Sequence, residues 1–209
     1  MIPPTSIDGT DITGATIDGT DVQEITVDGD VVFTAGPQII PDDSVEGFED
    51  GSLSEYQGAV SFYQIQTQTV FKGSRALETV SDFDNMFRTD IGSPGDEISI
   101  YVRGSDANFN FGYDGFGYRV LHQTSSDEFS FGTDQNGTYS NLVSQTAVLN
   151  SSEWYQYVID YNPGNITIQL FDTTGNLLGT INSNDSSFSN TGIGFRGRVG
   201  TFYDAIDIN

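Results

Sequence analysis

The stretch Tyr113-Asp114-Gly115-Phe116-Gly117-Tyr118-Arg119 places three aromatic side chains among glycines and charged residues. Flat rings presented by a loop can lie against the C–H faces of a sugar, while neighbouring polar groups bind its hydroxyls. The pattern therefore predicts a sugar-binding surface that contains Tyr113, Phe116 and Tyr118. The alternative is that Tyr113 and Tyr118 end adjacent strands and point into the core.

A second group that could do chemistry is the carboxylate of Asp204, near the end of the chain. If alternate residues of an extended strand share a face, Asp204 lies on the same face as the apolar Ile206 and Ile208. A carboxylate among core residues needs a partner, because burying an unpaired charge is costly. Asp204 is expected to find that partner, which could be Arg75 or Arg88, unless it lies at a sheet edge.

Catalytic groups are scarce. A retaining glycosidase needs two carboxylates roughly 5 Å apart, and the chain has no Glu-x-Asp-x-x-Glu string that would supply them from one strand. His122 is the only histidine, no Gly-x-Ser-x-Gly sequence accompanies it, and there is no cysteine. We therefore predict no catalytic residues and a protein that is not an enzyme.

The charge balance argues against nucleic acid as a partner and indicates an environment of high salt concentration. The chain has 30 Asp and Glu against 7 Lys and Arg, with a net charge of -23, so it should repel nucleic acid. In molar salt the Debye length falls to about 3 Å, and carboxylates then stop repelling one another. The sequence favours a protein adapted to very salty water, although an ordinary acidic soluble protein is the alternative.

A motif recurs every ten residues near the N-terminus. Ile7-Asp8-Gly9-Thr10-Asp11 is followed by Ile17-Asp18-Gly19-Thr20-Asp21 and then by Val27-Asp28-Gly29-Asp30-Val31. Asp-Gly suits tight hairpin turns, and the flanking residues favour strands. Residues 1–35 are therefore predicted to form a β-meander, with Ca²⁺ binding by its Asp-rich turns as the alternative.

About 35 residues bury too little apolar surface to stand alone, so this segment should anchor the protein to other subunits, and a homo-oligomer is expected.

The rest of the chain predicts an all-β fold. Residues 36–44 contain three prolines or glycines and no periodicity, which indicates a linker. Within residues 45–209 apolar residues alternate with polar ones at sandwich spacing, and turn sequences such as Asn136-Gly137 separate them. An antiparallel two-sheet sandwich satisfies the pattern.

Three segments carry a resemblance to known proteins: Phe48–Tyr56, Val70–Leu77 and Gly200–Ile208. They resemble the opening, second and closing strands of concanavalin A-like or laminin-G-like jelly rolls and of related carbohydrate-binding modules. The N-terminal repeat, which runs into Val31–Ala35, resembles segments of structural proteins from tailed viruses that infect halophilic archaea. The resemblance implies a jelly roll preceded by a short β-repeat.

The same resemblance implies a structural metal. In similar jelly rolls a Ca²⁺ ion joins the first strand to the last, and the matching acidic positions in this chain are Glu49 and Asp204, with a backbone carbonyl near Lys72. Carboxylate and carbonyl oxygens are the ligands that Ca²⁺ prefers. The expected cofactor is therefore one structural Ca²⁺ ion.

Together these features predict a virion surface protein of a haloarchaeal virus: a decoration, turret, spike or fibre subunit. Residues 1–35 would contact other virion proteins, and the jelly roll would bind host glycans. No apolar run approaches the roughly 20 residues that span a bilayer, and the first residues lack the features of a secretory signal. The rivals are a secreted or cell-surface carbohydrate-binding or adhesion module and, more weakly, a glycoside hydrolase.

Overall fold

The computed structural model describes residues 45–209 in full and, before them, the backbone of six short strands. The chain divides into two compact units, Met1–Ile40 and Pro41–Asn209.

In the first unit the described strands form three separate hairpins. The strands are β1 (Ser6–Ile7), β2 (Thr10–Asp11), β3 (Thr16–Ile17), β4 (Thr20–Asp21), β5 (Glu24–Val27) and β6 (Asp30–Thr34). The strands pair β1 with β2, β3 with β4 and β5 with β6. In the sequence one Asp-Gly dipeptide of the repeat separates the two strands of each pair. The repeat thus yields one two-stranded ribbon per Asp-Gly, and the described strands are not joined into a continuous meander.

The second unit contains fourteen strands and one short 3-10 helix at Val60–Phe62. The strands are β7 (Gln57–Gly58), β8 (Tyr63–Gln66), β9 (Ala76–Thr79), β10 (Met86–Arg88), β11 (Glu97–Arg103), β12 (Asn108–Phe111), β13 (Phe116–Gln123), β14 (Glu128–Gln135), β15 (Thr138–Thr146), β16 (Tyr155–Asp160), β17 (Ile166–Asp172), β18 (Leu177–Ser183), β19 (Ile193–Arg196) and β20 (Phe202–Ile208).

These strands form two antiparallel sheets of seven strands each. Sheet 1 has the order β15-β14-β13-β12-β19-β10-β7, and sheet 2 has the order β18-β17-β16-β11-β20-β9-β8. In each sheet some neighbours are joined by hairpins, and others, such as β12 with β19 and β11 with β20, are distant in sequence, as expected for a jelly roll. The sandwich is not closed into a barrel. The predicted all-β, two-sheet jelly roll is confirmed.

The core lies between the sheets and follows from strand alternation. In β11 Ile98, Ile100 and Val102 are completely buried, whereas the residues between them are more exposed. Sheet 1 contributes aromatic rings to the same core, among them Phe109 and Phe111. Large rings in edge-to-face and stacked contacts fill much of the space between two sheets and contribute a large apolar area that folding removes from water.

The turn between β14 and β15 explains how the sequence sets the register of that hairpin. Asn136 and Gly137 have φ values of 50° and 83°, as a two-residue hairpin turn requires, and the flanking Gln135 and Thr138 pair across it. The predicted turn at Asn136-Gly137 is thereby confirmed. No helix in the described part of the chain is long and apolar enough to span a membrane.

Candidate functional site

A depression of about 540 Å³ lies at one end of sheet 1. Its lining residues are Gly58, Ala59, Phe62, Asp84, Asn85, Phe87, Tyr113, Gly115, Asn136 and Arg196. They come from the end of β7 and the short helix that follows it, from β10 and the segment before it, from the loop between β12 and β13, from the β14–β15 turn, and from the end of β19. The fold thus brings together residues that are far apart in the sequence.

Aromatic rings form one part of the depression. The rings of Phe87 and Tyr113 meet edge to face with centroids 5.5 Å apart, and Phe62 is half-buried nearby. The hydroxyl oxygen of Tyr113 accepts a hydrogen bond of 2.8 Å from the Asn85 amide. Apolar ring surface next to fixed polar groups is the composition that small polar ligands with C–H faces require.

A buried polar network supports this surface from the outer face of sheet 1. Asn85 Oδ1 accepts hydrogen bonds from Asn110 Nδ2 at 3.2 Å and from Arg119 Nη2 at 3.3 Å. Arg119 Nε donates to Asn110 Oδ1 at 3.0 Å, and its Nη2 pairs with the carboxylate of Asp134. Asp134 in turn accepts the backbone N–H of Gly137 at 2.7 Å. The network connects Asn85 to the β14–β15 turn and holds both in fixed positions.

Burial decides how strongly these groups interact. Asn110 and Asp134 are completely buried and Arg119 is 3% exposed, so solvent screens their interactions little. Burial, together with repulsion by Arg196, lowers the pKa of Arg119 to about 10. The guanidinium therefore stays charged at neutral pH and depends on Asp134 for its countercharge.

Arg196 is the basic side chain that lines the depression itself. Its neighbour Phe195 is in the core, so Arg196 projects from the outer face of sheet 1. Within residues 45–209 no carboxylate lies within 4 Å of its guanidinium, which instead lies 5.9 Å from the centre of the Phe83 ring. Its N–H groups are thus available to a ligand, as is the exposed amide of Asn136 beside it.

The three rings predicted to form a sugar-binding surface lie in different environments. Tyr118 is completely buried, and its hydroxyl donates to Asp185 at 2.9 Å. Tyr113 is 1% exposed but borders the depression, and Phe116 is 44% exposed on the surface. Tyr113 is therefore the member of the set that lies at the depression. Sequence reasoning missed Asn85, Phe87 and Arg196, because no local motif connects residues that meet only through the strand order.

Glu49 and Asp204 both bind the loop between β8 and β9. Asp204 Oδ2 accepts the backbone N–H groups of Phe71 at 2.6 Å and Lys72 at 3.0 Å. Glu49 Oε1 accepts those of Ser74 and Arg75, each at 2.8 Å. The two acidic residues thus tie the opening segment and the last strand to one loop, and this connection is made by hydrogen bonds.

The position of Asp204 differs from the expectation of simple alternation. Pairing of β20 with β11 shifts register between Ser99 and Tyr101, and Ala205 has a φ of 48°. This bulge lets Tyr203 and Ile206 both enter the core, and it places Asp204 opposite Tyr101 on the outer face of sheet 2. The prediction that Asp204 shares a face with Ile206 is therefore wrong. The loop over Asp204 buries it completely.

The structure bears on two of the alternatives for Asp204, a place at a sheet edge and pairing with Arg88. β20 lies between β11 and β9, so Asp204 is not at a sheet edge. Arg88 forms its ion pairs with Glu46, Glu55 and Asp90 at 2.6–2.9 Å.

These residues do not fit a Ca²⁺ site. A bound cation needs carboxylate lone pairs, but Asp204 directs both oxygens at N–H groups, including that of Ala205 at 2.8 Å. Both oxygens of Glu49 likewise accept hydrogen bonds, the second from the Ser74 hydroxyl at 2.7 Å. Burial raises the pKa of Glu49, but its hydrogen bonds with Ser74 and Arg75 outweigh this effect and lower it. Across residues 45–209 no group of three His, Asp or Glu side chains is arranged to hold a metal ion.

This disagreement leads to a prediction about chelation. Because N–H and O–H donors already bond to both oxygens of each carboxylate, we expect excess EDTA to leave the thermal unfolding midpoint unchanged. Asp204→Ala should lower the midpoint, since it leaves three backbone N–H groups without their acceptor. Differential scanning calorimetry on the two samples checks both effects. A lower midpoint in EDTA that added Ca²⁺ restores would re-establish the predicted ion at Glu49 and Asp204.

Comparison with known proteins agrees with the fold and adds one viral relative. No protein family matches the chain. Structural protein 27 of His virus 1 (isolate Australia/Victoria) is 28% identical over 153 residues, which covers 68% of this chain and 29% of the viral protein. The chain thus corresponds to less than a third of that relative's length.

Two solved structures are similar in fold. The carbohydrate-binding module CBM66 from Bacillus subtilis has a TM-score of 0.56 and 16% identity, and the likeness covers 74% of this chain and 95% of the module. The cellulose-induced protein Cip1 has a TM-score of 0.50 and 14% identity, with coverage of 78% and 95%. The chain therefore has the jelly-roll fold found in carbohydrate-binding proteins, together with sequence similarity to a viral structural protein.

Proposed function

We propose that this chain is a structural protein of a virus particle and that its jelly roll binds glycans of the host surface. The similarity to the viral structural protein 27 supports the first part of the proposal. The depression beside Tyr113 and Arg196 carries the second part, because it joins ring surface to unused hydrogen-bond donors. A secreted carbohydrate-binding or adhesion module is the alternative, and it would use the same depression.

The composition of the depression favours a sugar as its ligand. A pyranose or furanose presents C–H groups that pack against rings such as Phe87, and hydroxyls that bind amide and guanidinium groups such as those of Asn136 and Arg196. The ion-paired network holds Asn85 and the β14–β15 turn, which carries Asn136, in place before the ligand arrives. A surface held in place in this way loses less entropy on binding.

Binding is tested with the full-length chain on an array of neutral and acidic oligosaccharides, followed by calorimetry on the best ligand. We expect Arg196→Gln to weaken binding by about tenfold or more, because a charge-assisted hydrogen bond contributes at least about 1.5 kcal/mol. Arg103→Gln is the matched control, since Arg103 belongs to β11 in sheet 2. Failure of every glycan to bind, or equal losses in both variants, would contradict the proposed site.

The virion assignment has its own experiment. We propose that residues 1–35 attach the protein to other virion components, that residues 36–44 act as a linker, and that residues 45–209 face outward. Particles should then incorporate an unrelated domain fused to residues 1–40 and exclude a chain that begins at Asp43. Normal incorporation of the truncated chain would place attachment in the jelly roll.

We also propose that the protein works in concentrated salt. With a net charge of -23, reducing salt from about 1 M to about 0.1 M lengthens the Debye length from about 3 Å to about 10 Å and restores repulsion between carboxylates. The unfolding midpoint, followed by circular dichroism, should therefore fall during dialysis from molar KCl into dilute buffer. A constant midpoint would remove this part of the proposal.

We infer further that the protein binds glycans without cleaving them. His122, the one histidine, is completely buried and lies 3.0 Å from the Tyr157 hydroxyl, so it is not available to a substrate. A glycan that binds should be recovered with its chain length unchanged. Release of shorter products would revive the glycoside hydrolase as an alternative.

A further inference from the structure

The strands at the edges of both sheets carry no charged side chain. Sheet 1 ends at β15 and β7, and sheet 2 ends at β18 and β8. Their sequences are TYSNLVSQT, QG, LLGTINS and YQIQ. In a chain with 18% charged residues this is unexpected, because natural proteins place charges on edge strands to prevent pairing with other chains.

Strand length distinguishes the two sides of the sandwich. β7 has two residues and β8 has four, and such short edges offer little backbone for pairing. β15 has nine residues and β18 has seven. No charged residue occurs between Asp134 and Glu153, a run that includes all of β15. The side formed by β15 and β18, which we call the uncharged edge, is therefore the one able to pair.

The uncharged edge is a continuous surface. Gln145 of β15 accepts the backbone N–H of Thr180 in β18 at 3.0 Å, which links the ends of the two sheets. Leu142 of β15 is 44% exposed and Leu177 of β18 is 52% exposed, and Val148, two residues after β15, is 81% exposed. Within residues 45–209 β15 pairs with β14 alone, so alternate backbone groups along its other side are directed outward.

Leu142 occupies the middle of this strand. In the pairing of β15 with β14, Asn141 lies opposite Gly132 and Val143 opposite Phe131, so Leu142 is the extra residue of a bulge. It is also the central residue of Thr138–Thr146. A second copy that overlapped β15 fully in the antiparallel sense would place the two Leu142 side chains next to each other on a two-fold axis.

We propose that the uncharged edge is where two copies of this chain meet, with β15 of one copy antiparallel to β15 of the other. An unpaired edge strand is complementary to the same strand of a second copy, because both present unpaired backbone groups. In a chain with 30 Asp and Glu, the uncharged edge is a place where two copies can approach without burying a carboxylate of either. Pairing would extend sheet 1 across the two-fold axis and cover exposed apolar side chains.

The oligomeric state of the full-length chain in molar KCl tests the proposal. Sedimentation equilibrium over a concentration series should give twice the chain mass of 22.7 kDa for the wild type. Leu142→Glu should raise the dimer dissociation constant by about tenfold or more, because the two-fold axis places both new carboxylates together. The control is Val199→Glu, which makes the same change of charge at a residue that is 59% exposed outside the uncharged edge, and it should remain dimeric.

A second measurement covers the case in which Leu142→Glu does not fold. The chain has no cysteine, so Leu142→Cys introduces one thiol per chain. The proposed two-fold axis places this thiol next to the same thiol of the second copy, and mild oxidation should therefore form a disulfide-linked dimer. Val199→Cys should stay monomeric on a non-reducing gel. A wild type that sediments as a monomer at all concentrations, or the absence of cross-linking through position 142, would overturn the proposal. Larger assemblies that Leu142→Glu does not dissociate would assign association to another surface and would overturn it as well.

Discussion

Replacing Asp134 with asparagine should lower the free energy of unfolding by about 3–5 kcal/mol, the usual cost of removing one partner from a buried ion pair. Asp134 is completely buried and Arg119 is 3% exposed, so the remaining guanidinium would keep its charge without a countercharge. Asparagine preserves the volume and can still accept the backbone N–H of Gly137. The loss would therefore report the missing charge and not a lost turn. Urea unfolding at neutral pH in molar salt measures it.

The double variant Arg119→Met/Asp134→Leu separates this interpretation from a simple packing defect. When both partners of a buried pair are replaced by apolar residues of similar volume, the change is often neutral or stabilising. We therefore expect the double variant to recover most of the stability that Asp134→Asn loses. Arg198→Met serves as the control, because Arg198 is 57% exposed in its pair with Asp106, and such pairs contribute less than about 1 kcal/mol. A loss in Asp134→Asn no greater than that of the control would mean that the network does not support sheet 1.

The same double variant also tests how much the buried polar network contributes to glycan binding. Arg119 holds Asn110 and Asn85 in place, and Asn85 holds the Tyr113 hydroxyl. An apolar pair at positions 119 and 134 restores stability but leaves Asn85 with fewer contacts. Stability and glycan affinity should therefore separate in this variant, because the chain would fold normally and bind more weakly.

Local patterns in the sequence were sufficient to predict most of the fold. Ile98, Ile100 and Val102 define a strand with one buried face because their period is two, and Asn136-Gly137 defines a hairpin because both residues accept positive φ. Each of these features depends on neighbours in sequence. Together they predict an antiparallel two-sheet sandwich, whereas the jelly-roll order of the strands was implied by the resemblance of three segments to known jelly rolls.

The rule that alternate residues of a strand share a face gave a wrong prediction for β20, because a bulge in that strand interrupts the alternation. The bulge at Ala205 shifts every later residue of β20 to the other face, and nothing in the sequence Phe202–Ile208 marks it. The prediction that Asp204 needs a partner follows from the cost of burying a carboxylate. The backbone N–H groups that bind Asp204 come partly from the loop that covers it, through Phe71 and Lys72, and partly from Ala205 in β20.

The depression was beyond sequence reasoning for a related cause. Asn85, Phe87 and Arg196 belong to the segment before β10, to β10 and to β19, and β10 and β19 become neighbours through the strand order of sheet 1. Tyr113 and Tyr118 belong to one recognisable motif, yet Tyr113 borders the depression and Tyr118 is completely buried in the core. Composition identified the kind of residue that such a site uses, and only the pairing of strands identified which residues.

Acidification should destabilise the protein through a single buried imidazole. His122 is completely buried, and this burial lowers its pKa from the ordinary 6.5 to about 3. Its Nδ1 lies 3.0 Å from the Tyr157 hydroxyl, and its Nε2 has no hydrogen-bond partner among the described residues. Protonation in the folded state would therefore place a cation in the core together with an N–H that lacks an acceptor.

The sign of the effect follows from which state binds the proton. Between pH 6.5 and pH 3 the unfolded chain protonates His122 and the folded chain does not, so the folded state loses stability as pH falls through this range. The slope from this one group approaches about 1.4 kcal/mol per pH unit, and above the unfolded pKa the contribution is constant. Because carboxylates titrate in the same range, the wild type alone cannot isolate it.

His122→Asn isolates the histidine, since asparagine does not titrate and can still bond to Tyr157. We expect the stability difference between wild type and variant to change by about 2–3 kcal/mol, in favour of the variant, from about pH 7 to about pH 4.5. Urea titrations at fixed salt measure both proteins, and the carboxylate contributions cancel in the difference. His122→Phe, which keeps a ring in the same space, should behave in the same way if asparagine leaves a cavity. Parallel pH profiles for all three proteins would show that His122 does not couple proton uptake to unfolding.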